Sequence, residues 1–282
     1  MIISIASGKG GTGKTTVATN LAASMEQDVQ FLDCDVEEPN GHLFLKPEIT
    51  DQETVFVMVP EIDPQRCSLS RRCVDICRFS ALAVVAGEVM TFPEMCHSCR
   101  GCLIVCEQQA ITEGQREIGE IEQGRSKQIH FIHGRLRVGE AMSPPLIKAV
   151  RSLATSNRTV IIDAPPGTSC PVITAIRGVD YVLLVTEPTP FGLHDLKLAV
   201  EAVRLLDIPC GLVINRAGIG NDAVQQYAKE NQLPILLEIP HERQIAEICS
   251  RGGLLVQESD HWHHQFQQLM TRIRTHHSSG PA

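Results

Sequence analysis

The stretch Gly8-Lys9-Gly10-Gly11-Thr12-Gly13-Lys14-Thr15-Thr16 constrains this chain more than any other. It follows an apolar run, Ile2 to Ala6, that reads as a buried strand, and precedes Val17, Ala18, Leu21 and Ala22, which share one helical face. Strand, glycine loop and helix in that order make a phosphate-binding unit, because backbone N–H groups and the positive end of the helix face the anion. Gly8 and Gly13, followed by Lys14 and Thr15, satisfy G-x-x-x-x-G-K-[ST]. Lys14 then reaches the outer phosphates and Thr15 holds Mg²⁺, with Gly8, Gly10, Gly11, Thr12, Gly13 and Thr16 completing the loop. Glycine is required where a Cβ would block the backbone's approach. The same residues also satisfy G-x-G-x-x-G, with Asp33 at the distance of a ribose-binding acid. That dinucleotide reading leaves Lys14, Thr15 and a second aspartate strand without purpose.

The second strand, Val29 to Leu32, ends in Asp33 and, two residues on, Asp35. The later one is Thr159-Val160-Ile161-Ile162-Asp163, running into Ala164-Pro165-Pro166-Gly167. Ligands of open α/β sheets sit at the carboxyl ends of strands, so these acids should face the nucleotide. Asp163 takes the place of a Walker B acid holding Mg²⁺ through water, and Gly167 can give its N–H to the γ-phosphate. Tyr181 to Val185, Leu212 to Ile214 and Ile235 to Ile239 are near-continuous apolar runs, the mark of parallel strands covered on both faces. Between the first two, Leu193, Leu196, Val200, Val203 and Leu206 keep helical spacing, and Pro144-Pro145 opens another helix through Leu153. The predicted fold is a doubly wound α/β, mostly parallel sheet.

Composition bounds the partners and compartment. A net charge of -8 argues against nonspecific nucleic-acid binding, and 4% aromatic content argues against base-stacking surfaces. No charged-then-apolar leader opens the chain and no apolar run approaches bilayer-spanning length, so the expectation is a cytoplasmic protein without a membrane span. In that reducing compartment eleven cysteines point away from disulfides and toward metal or redox chemistry.

Seven of those cysteines lie between residues 61 and 113, which divides the chain into a P-loop domain's first part (1–60), an insert (61–113) and the P-loop domain's second part (114–282). Cys96, Cys99, Cys102 and Cys106 match C-x₂-C-x₂-C-x₃-C, in which three thiolates grip one 4Fe-4S cluster while the fourth ligates another. Cys67, Cys73 and Cys77 fit the same template with Ser70 at the second position. Zinc sites pair C-x₂-C knuckles, which this spacing exceeds. Ala81 to Val85 and Val89 to Phe92 around Gly87 read as a hairpin joining the halves, and Gln115 to Lys127 as a polar stretch after the insert.

Two resemblances follow. GKGGTGKT, with Lys9 directly after the first glycine, and DAPPGTSCPV resemble the MinD/ParA/Mrp-type deviant-Walker ATPases, a group that includes the nitrogenase iron protein. The likeness implies ATP sandwiched between two subunits of a homodimer or heterodimer, with Lys9 crossing to the partner's nucleotide. It further implies that Asp35 activates the attacking water, that Asp33 lies nearer the Mg²⁺ shell, and that Asn215 reads the adenine edge. The insert resembles a two-cluster bacterial ferredoxin. Carried over, Cys96, Cys99, Cys102 and Cys77 bind one 4Fe-4S cluster, while Cys67, Cys73 and Cys106 contact the other. Ser70, a harder and poorer ligand, leaves that second site for a 3Fe-4S cluster, a 4Fe-4S cluster with one exposed iron, or nothing.

The implied function is ATP hydrolysis coupled to electron transfer through the insert toward a redox partner; the alternative is a cluster carrier serving an acceptor protein. A nonhydrolytic nucleotide-sensing adaptor and an amide-forming ligase are the remaining readings, the ligase opposed by the lack of a glutaminase domain. Cys34, Cys170, Cys210 and Cys249 read as small buried hydrophobes. Trp262, Phe266, Leu269, Met270 and Ile273 form one face of a closing helix, predicted to dock on the core rather than on a membrane.

Overall fold

The computed structural model describes residues 1–278. Its strands are β1 (Ile2–Ala6), β2 (Val29–Asp33), β3 (Glu48–Ile62), β4 (Leu82–Val85), β5 (Glu88–Thr91), β6 (Ile111–Ser126), β7 (Ile129–Leu136), β8 (Thr159–Asp163), β9 (Tyr181–Thr186), β10 (Cys210–Ala217) and β11 (Ile235–Pro240). A nine-stranded sheet has the order β11-β10-β9-β1-β8-β2-β7-β6-β3, and β4-β5 stand apart as a hairpin. From β11 to β7 every neighbouring pair is parallel; β6 and β3 are added antiparallel.

Alternate residues of the central strands supply two cores. Val160, Ile162, Val182 and Leu184 face one side, where α5 (Pro144–Ser152), α6 (Cys170–Ile176), α7 (Pro190–Leu205) and α8 (Ala223–Glu230) pack. Ile3, Ile5, Ile161 and Leu183 face the other, under α1 (Lys14–Ala23), α2 (Gly41–Leu45), α9 (Arg243–Ser250), α10 (Leu255–Glu258) and α11 (Asp260–Ser278). On α11, Phe266, Leu269, Met270 and Ile273 are buried in this second core, so the helix docks as predicted. Among the described residues no helix is long and apolar enough to cross a membrane.

The polar stretch Gln115 to Lys127 is a strand as far as Ser126. It belongs to β6, which pairs with β3 along nearly its whole length. Both are charged because β3 is an edge strand, exposed from Glu48 to Thr54, a composition that discourages further edge pairing. At Val55/Phe56 the ladder shifts register against Gly119/Glu117, leaving Ile118 as the extra residue, whose carbonyl accepts from Arg137 N–H at 2.9 Å. Beside that bulge β7 ends, and β3 and β6 continue as a two-stranded arm until Ile62 stands opposite Ile111.

The arm carries residues 63–110. Two short helices, α3 (Arg72–Ile76) and α4 (Gly101–Ile104), and the β4-β5 hairpin fill this unit. Its halves repeat. The left-handed residues Leu69, Arg71 and Ser80 of the first recur as Ser98, Arg100 and Gln109 of the second. Asp63 N–H donates to Ala110 O and Phe92 N–H to Ala81 O, each at 2.8 Å, as a pseudo-twofold axis requires.

Candidate nucleotide site and cysteine insert

The Gly8–Gly13 loop leaves β1 at the sheet's centre and enters α1 with Gly13 as its left-handed cap, φ 91°. A Cβ on Gly13 would come within 2.2 Å of Asn215 Nδ2, and one on Gly8 within 2.2 Å of the Asp195 carbonyl on α7. Those two glycines permit close packing behind the loop. At Gly10, Gly11 and Gly167 a Cβ would meet nothing within 4 Å, so these positions line open space. Thr12 is buried with its hydroxyl unpartnered, an orphan inside the loop. Open glycines and an orphan hydroxyl fit a phosphate chain.

Lys14 is 7% exposed and its ammonium lies 3.0 Å from Asp163 Oδ1 and 3.7 Å from Asp35 Oδ2. Thr15 Oγ1 donates to Asp163 Oδ2 at 2.6 Å. Burial opposes the lysine's charge, but Asp163 and Asp35 outweigh it and raise the pKa. Burial lifts Asp35 to about 6 against the pull of Lys14. Asp33, fully buried, is pushed above the usual carboxylate range by desolvation and by the Asp163 charge. Both its oxygens accept backbone N–H groups, Asp35 at 3.1 Å and Gly41 at 2.9 Å, so its carboxylate braces the loop that presents Asp35. Thus Lys14, Thr15, Asp35 and Asp163 are gathered at one spot, with Asp33 directly behind.

Gly167 sits in the left-handed region, φ 98°, its N–H on the Ser7 carbonyl at 2.9 Å. Asn215 donates to Thr12 O at 2.8 Å, tying the end of β10 to the phosphate loop. With Gly13, Thr16, Ile239, Pro240, Ile245 and Cys249 it lines a cavity beside the phosphate loop. Lys9 is paired with Glu187, a residue the sequence reading passed over. Its signal was positional: an acid one residue beyond β9, the strand beside β1.

In the insert, Cys67, Ser70, Cys73 and Cys106 line one cavity. Cys96, Cys99 and Cys102 form a second neighbourhood, where burial, and to a smaller degree the charges of Cys96 and Cys99, push the Cys102 thiol up to about 11. Cys77 packs with Cys96 against Val59 and Ala81. Backbone N–H groups of Ala81 and Ala110 donate to Cys77 Sγ at 3.3 Å and Cys106 Sγ at 3.2 Å, at matching places in the two halves. All seven thiols are free. Among the described residues no three of His, Cys, Asp or Glu are arranged to hold a single metal ion. The four cysteines outside the insert differ from expectation at one place. Cys34 is buried and Cys210 and Cys249 are partly buried, but Cys170 is exposed, because it opens α6 before the helix turns Val172, Ala175 and Ile176 into the core.

A central parallel sheet with a glycine loop, lysine, hydroxyl and two aspartates at its carboxyl edge defines a P-loop nucleotide-binding protein. The chain belongs to the CobQ/CobB/MinD/ParA nucleotide binding domain family, whose model matches residues 3–256. An uncharacterized protein of Methanocaldococcus jannaschii is 30% identical over 271 residues, 92% of this chain and 93% of that one. An iron-sulfur cluster carrier protein of Pyrococcus horikoshii is 26% identical over 283 residues, covering 92% of this chain and 80% of the relative. In fold, the chain is similar to the septum site-determining protein MinD complexed with Mg-ADP from Pyrococcus horikoshii, with TM-score 0.60 at 20% identity, covering 96% and 95% of the two chains.

Proposed function

We propose that this protein is an ATPase that works as a dimer and couples its nucleotide state to iron-sulfur chemistry on the insert. The observation that carries the reading is that one sheet holds both sites. Lys14, Thr15, Asp35 and Asp163 meet at its centre, and β3 and β6 run from it directly into the unit holding seven free thiols.

In this reading Thr15 and Asp163 hold Mg²⁺, Lys14 neutralises the outer phosphates, and Asp35 orients the attacking water. Asp33 holds the Asp35 loop in place through its two backbone hydrogen bonds. Gly167 exchanges the Ser7 carbonyl for the γ-phosphate, which makes its loop responsive to hydrolysis. Lys9 crosses to the partner subunit's nucleotide.

Two sets of contacts, joined through the Met142–Ser143 backbone, support coupling to the insert. Glu37, two residues past Asp35, accepts from Ser143 Oγ at 2.9 Å. Glu140 accepts the Met142 N–H at 3.1 Å and pairs with Arg116, which stands on the arm. Glu140 and Arg116 are both buried, so the segment leading to Ser143 is anchored to the arm by a stiff contact.

The donor set of the insert fits iron-sulfur clusters: reduced thiols in a four-fold set (Cys96, Cys99, Cys102, Cys77) and a three-fold set beside Ser70 (Cys67, Cys73, Cys106), with backbone N–H groups aimed at sulfur. Such a group supplies either one-electron transfer or transferable iron and sulfide. Cluster carriage to an acceptor protein is favoured by Ser70, which leaves the set on the cavity wall short of one thiolate, and by relatives named as carriers. Electron transfer to a redox partner is favoured by the repeated halves, which put two metal-competent sets in one small unit.

Anaerobic purification with iron and sulfide counts, then electron paramagnetic resonance with and without ATP, tests the proposal. About eight irons per chain marks two full cubanes and about seven a 3Fe-4S centre. Transfer of iron to an apo-acceptor selects carriage; a reversible spectroscopic change that survives turnover selects electron transfer. Metal-free protein with full ATPase activity overturns both.

A further inference from the structure

Lys9 shares a partner. Its ammonium lies 2.5 Å from Glu187 Oε1, and Arg216 Nη1 lies 2.9 Å from Glu187 Oε2, so one carboxylate serves two cations. Glu187 is 10% exposed at its side chain, against 30% for Lys9 and 46% for Arg216. Thr189 Oγ1 adds a 3.4 Å contact to the oxygen that Lys9 uses. Burial works against the Glu187 charge, yet Lys9 and Arg216 hold its pKa below the usual range. Arg216 adjoins Asn215 at the end of β10, Glu187 follows β9 and Lys9 follows β1, so the three residues come from three strand ends at the carboxyl edge of the sheet.

We propose that Glu187 is a positioning residue that retains Lys9 within its own subunit, occupying it as the phosphates of a partner's nucleotide would, and that Arg216 weakens this hold by sharing the carboxylate. The proposal rests on the reading that Lys9 crosses the dimer interface. A lysine leaving a buried carboxylate with no other cation would strand an unpaired charge, which is strongly unfavourable. Arg216 removes that obstacle, because the carboxylate keeps one charge-assisted bond after Lys9 departs. Crossing then exchanges one anion for another at Lys9, and the balance is set by how much of Glu187 belongs to Arg216.

Two substitutions should therefore act in opposite directions. Glu187→Gln frees Lys9, whereas Arg216→Gln leaves the carboxylate to Lys9 alone and tightens the hold. If Glu187 served only to keep its loop folded, both variants would impair the protein alike. The measurement is the dimer dissociation constant of the full chain by sedimentation equilibrium, at saturating magnesium complex of a slowly hydrolysed ATP analogue, with Mg-ADP as comparator. Glu187→Gln is expected to tighten the ATP-state dimer roughly tenfold, the value of one partly buried charge-assisted bond, and Arg216→Gln to weaken it by about threefold or more. Glu187→Asp, which keeps the charge, should return toward wild type. Lys9→Ala should abolish the nucleotide dependence. If Lys9→Ala does so but Glu187→Gln leaves the dimer unchanged or weaker, the retaining role of Glu187 is overturned while the crossing lysine stands. If wild type shows no ATP-dependent dimer, or Lys9→Ala still forms one, the crossing reading fails and the retaining role with it.

Discussion

Gly13 and Gly10 belong to one loop but answer to different neighbours. Gly13 is fixed by the Asn215 amide behind it, Gly10 by open space in front, and only the second kind of constraint comes from a ligand. Gly13→Ala should therefore destabilise the empty protein, through a left-handed backbone and a clash, while Gly10→Ala should spare stability and weaken nucleotide binding; thermal melts with and without Mg-ADP separate the two. Lys14→Ala is expected to abolish ATP turnover, and Asp35→Ala to lower it by about 10²-fold or more with nucleotide still bound, as followed by phosphate release. Glu140 gives a pH signature. Burial would raise its pKa, but the hydrogen bond from Arg116 prevails and holds it below the usual value. A depressed carboxylate stabilises the fold above its unfolded pKa and loses that contribution as pH falls through the folded one. Glu140→Gln should thus cost about 2–3 kcal/mol at pH 7 by denaturant unfolding, with the difference from wild type closing below about pH 4. The lysine, threonine and aspartates of the nucleotide site were legible because each sits at a fixed offset from a glycine or a strand end. The Asn215 brace on Thr12 and the Glu187 pairing were not, since both join loops far apart in sequence.

At the scale of elements, the parallel strands could be read from sequence because they are buried on both faces and hence continuously apolar. β3 and β6 could not. Their burial is partial and their stability comes from pairing with each other over long stretches, which leaves no period in a run such as Glu48 to Thr54. The arm also makes a prediction of its own. Ile62 and Ile111 stand in register at its tip, so replacing residues 63–110 by an Asn-Gly turn should close a hairpin and leave the nine-stranded sheet folded, with Mg-ADP binding intact by calorimetry. On the opposite flank, α11 is held by fully buried Phe266, Leu269 and Ile273. Phe266→Ala should destabilise the protein by about 3–5 kcal/mol in urea unfolding.

At the scale of the whole molecule, composition set a cysteine-rich stretch apart from the apolar runs on either side, but said nothing of the order of strands or of the route between them. The sheet is antiparallel only toward β3, the end from which the insert is hung, and neither large core includes a residue of 63–110. The insert keeps only two small apolar clusters, one around Cys96 and one around Cys102. Its metal-free amides should consequently exchange with deuterium well ahead of β1, β8 and β9, as mass spectrometry can follow. β3 and β6 run without a loop from the central sheet to Ile62 and Ile111, where the insert begins. A module mounted in this way does not wander on a tether. In the paired assembly proposed above its distance from its counterpart would follow from how the two sheets dock, so any exchange between the modules would be a matter of subunit geometry rather than of chance encounter.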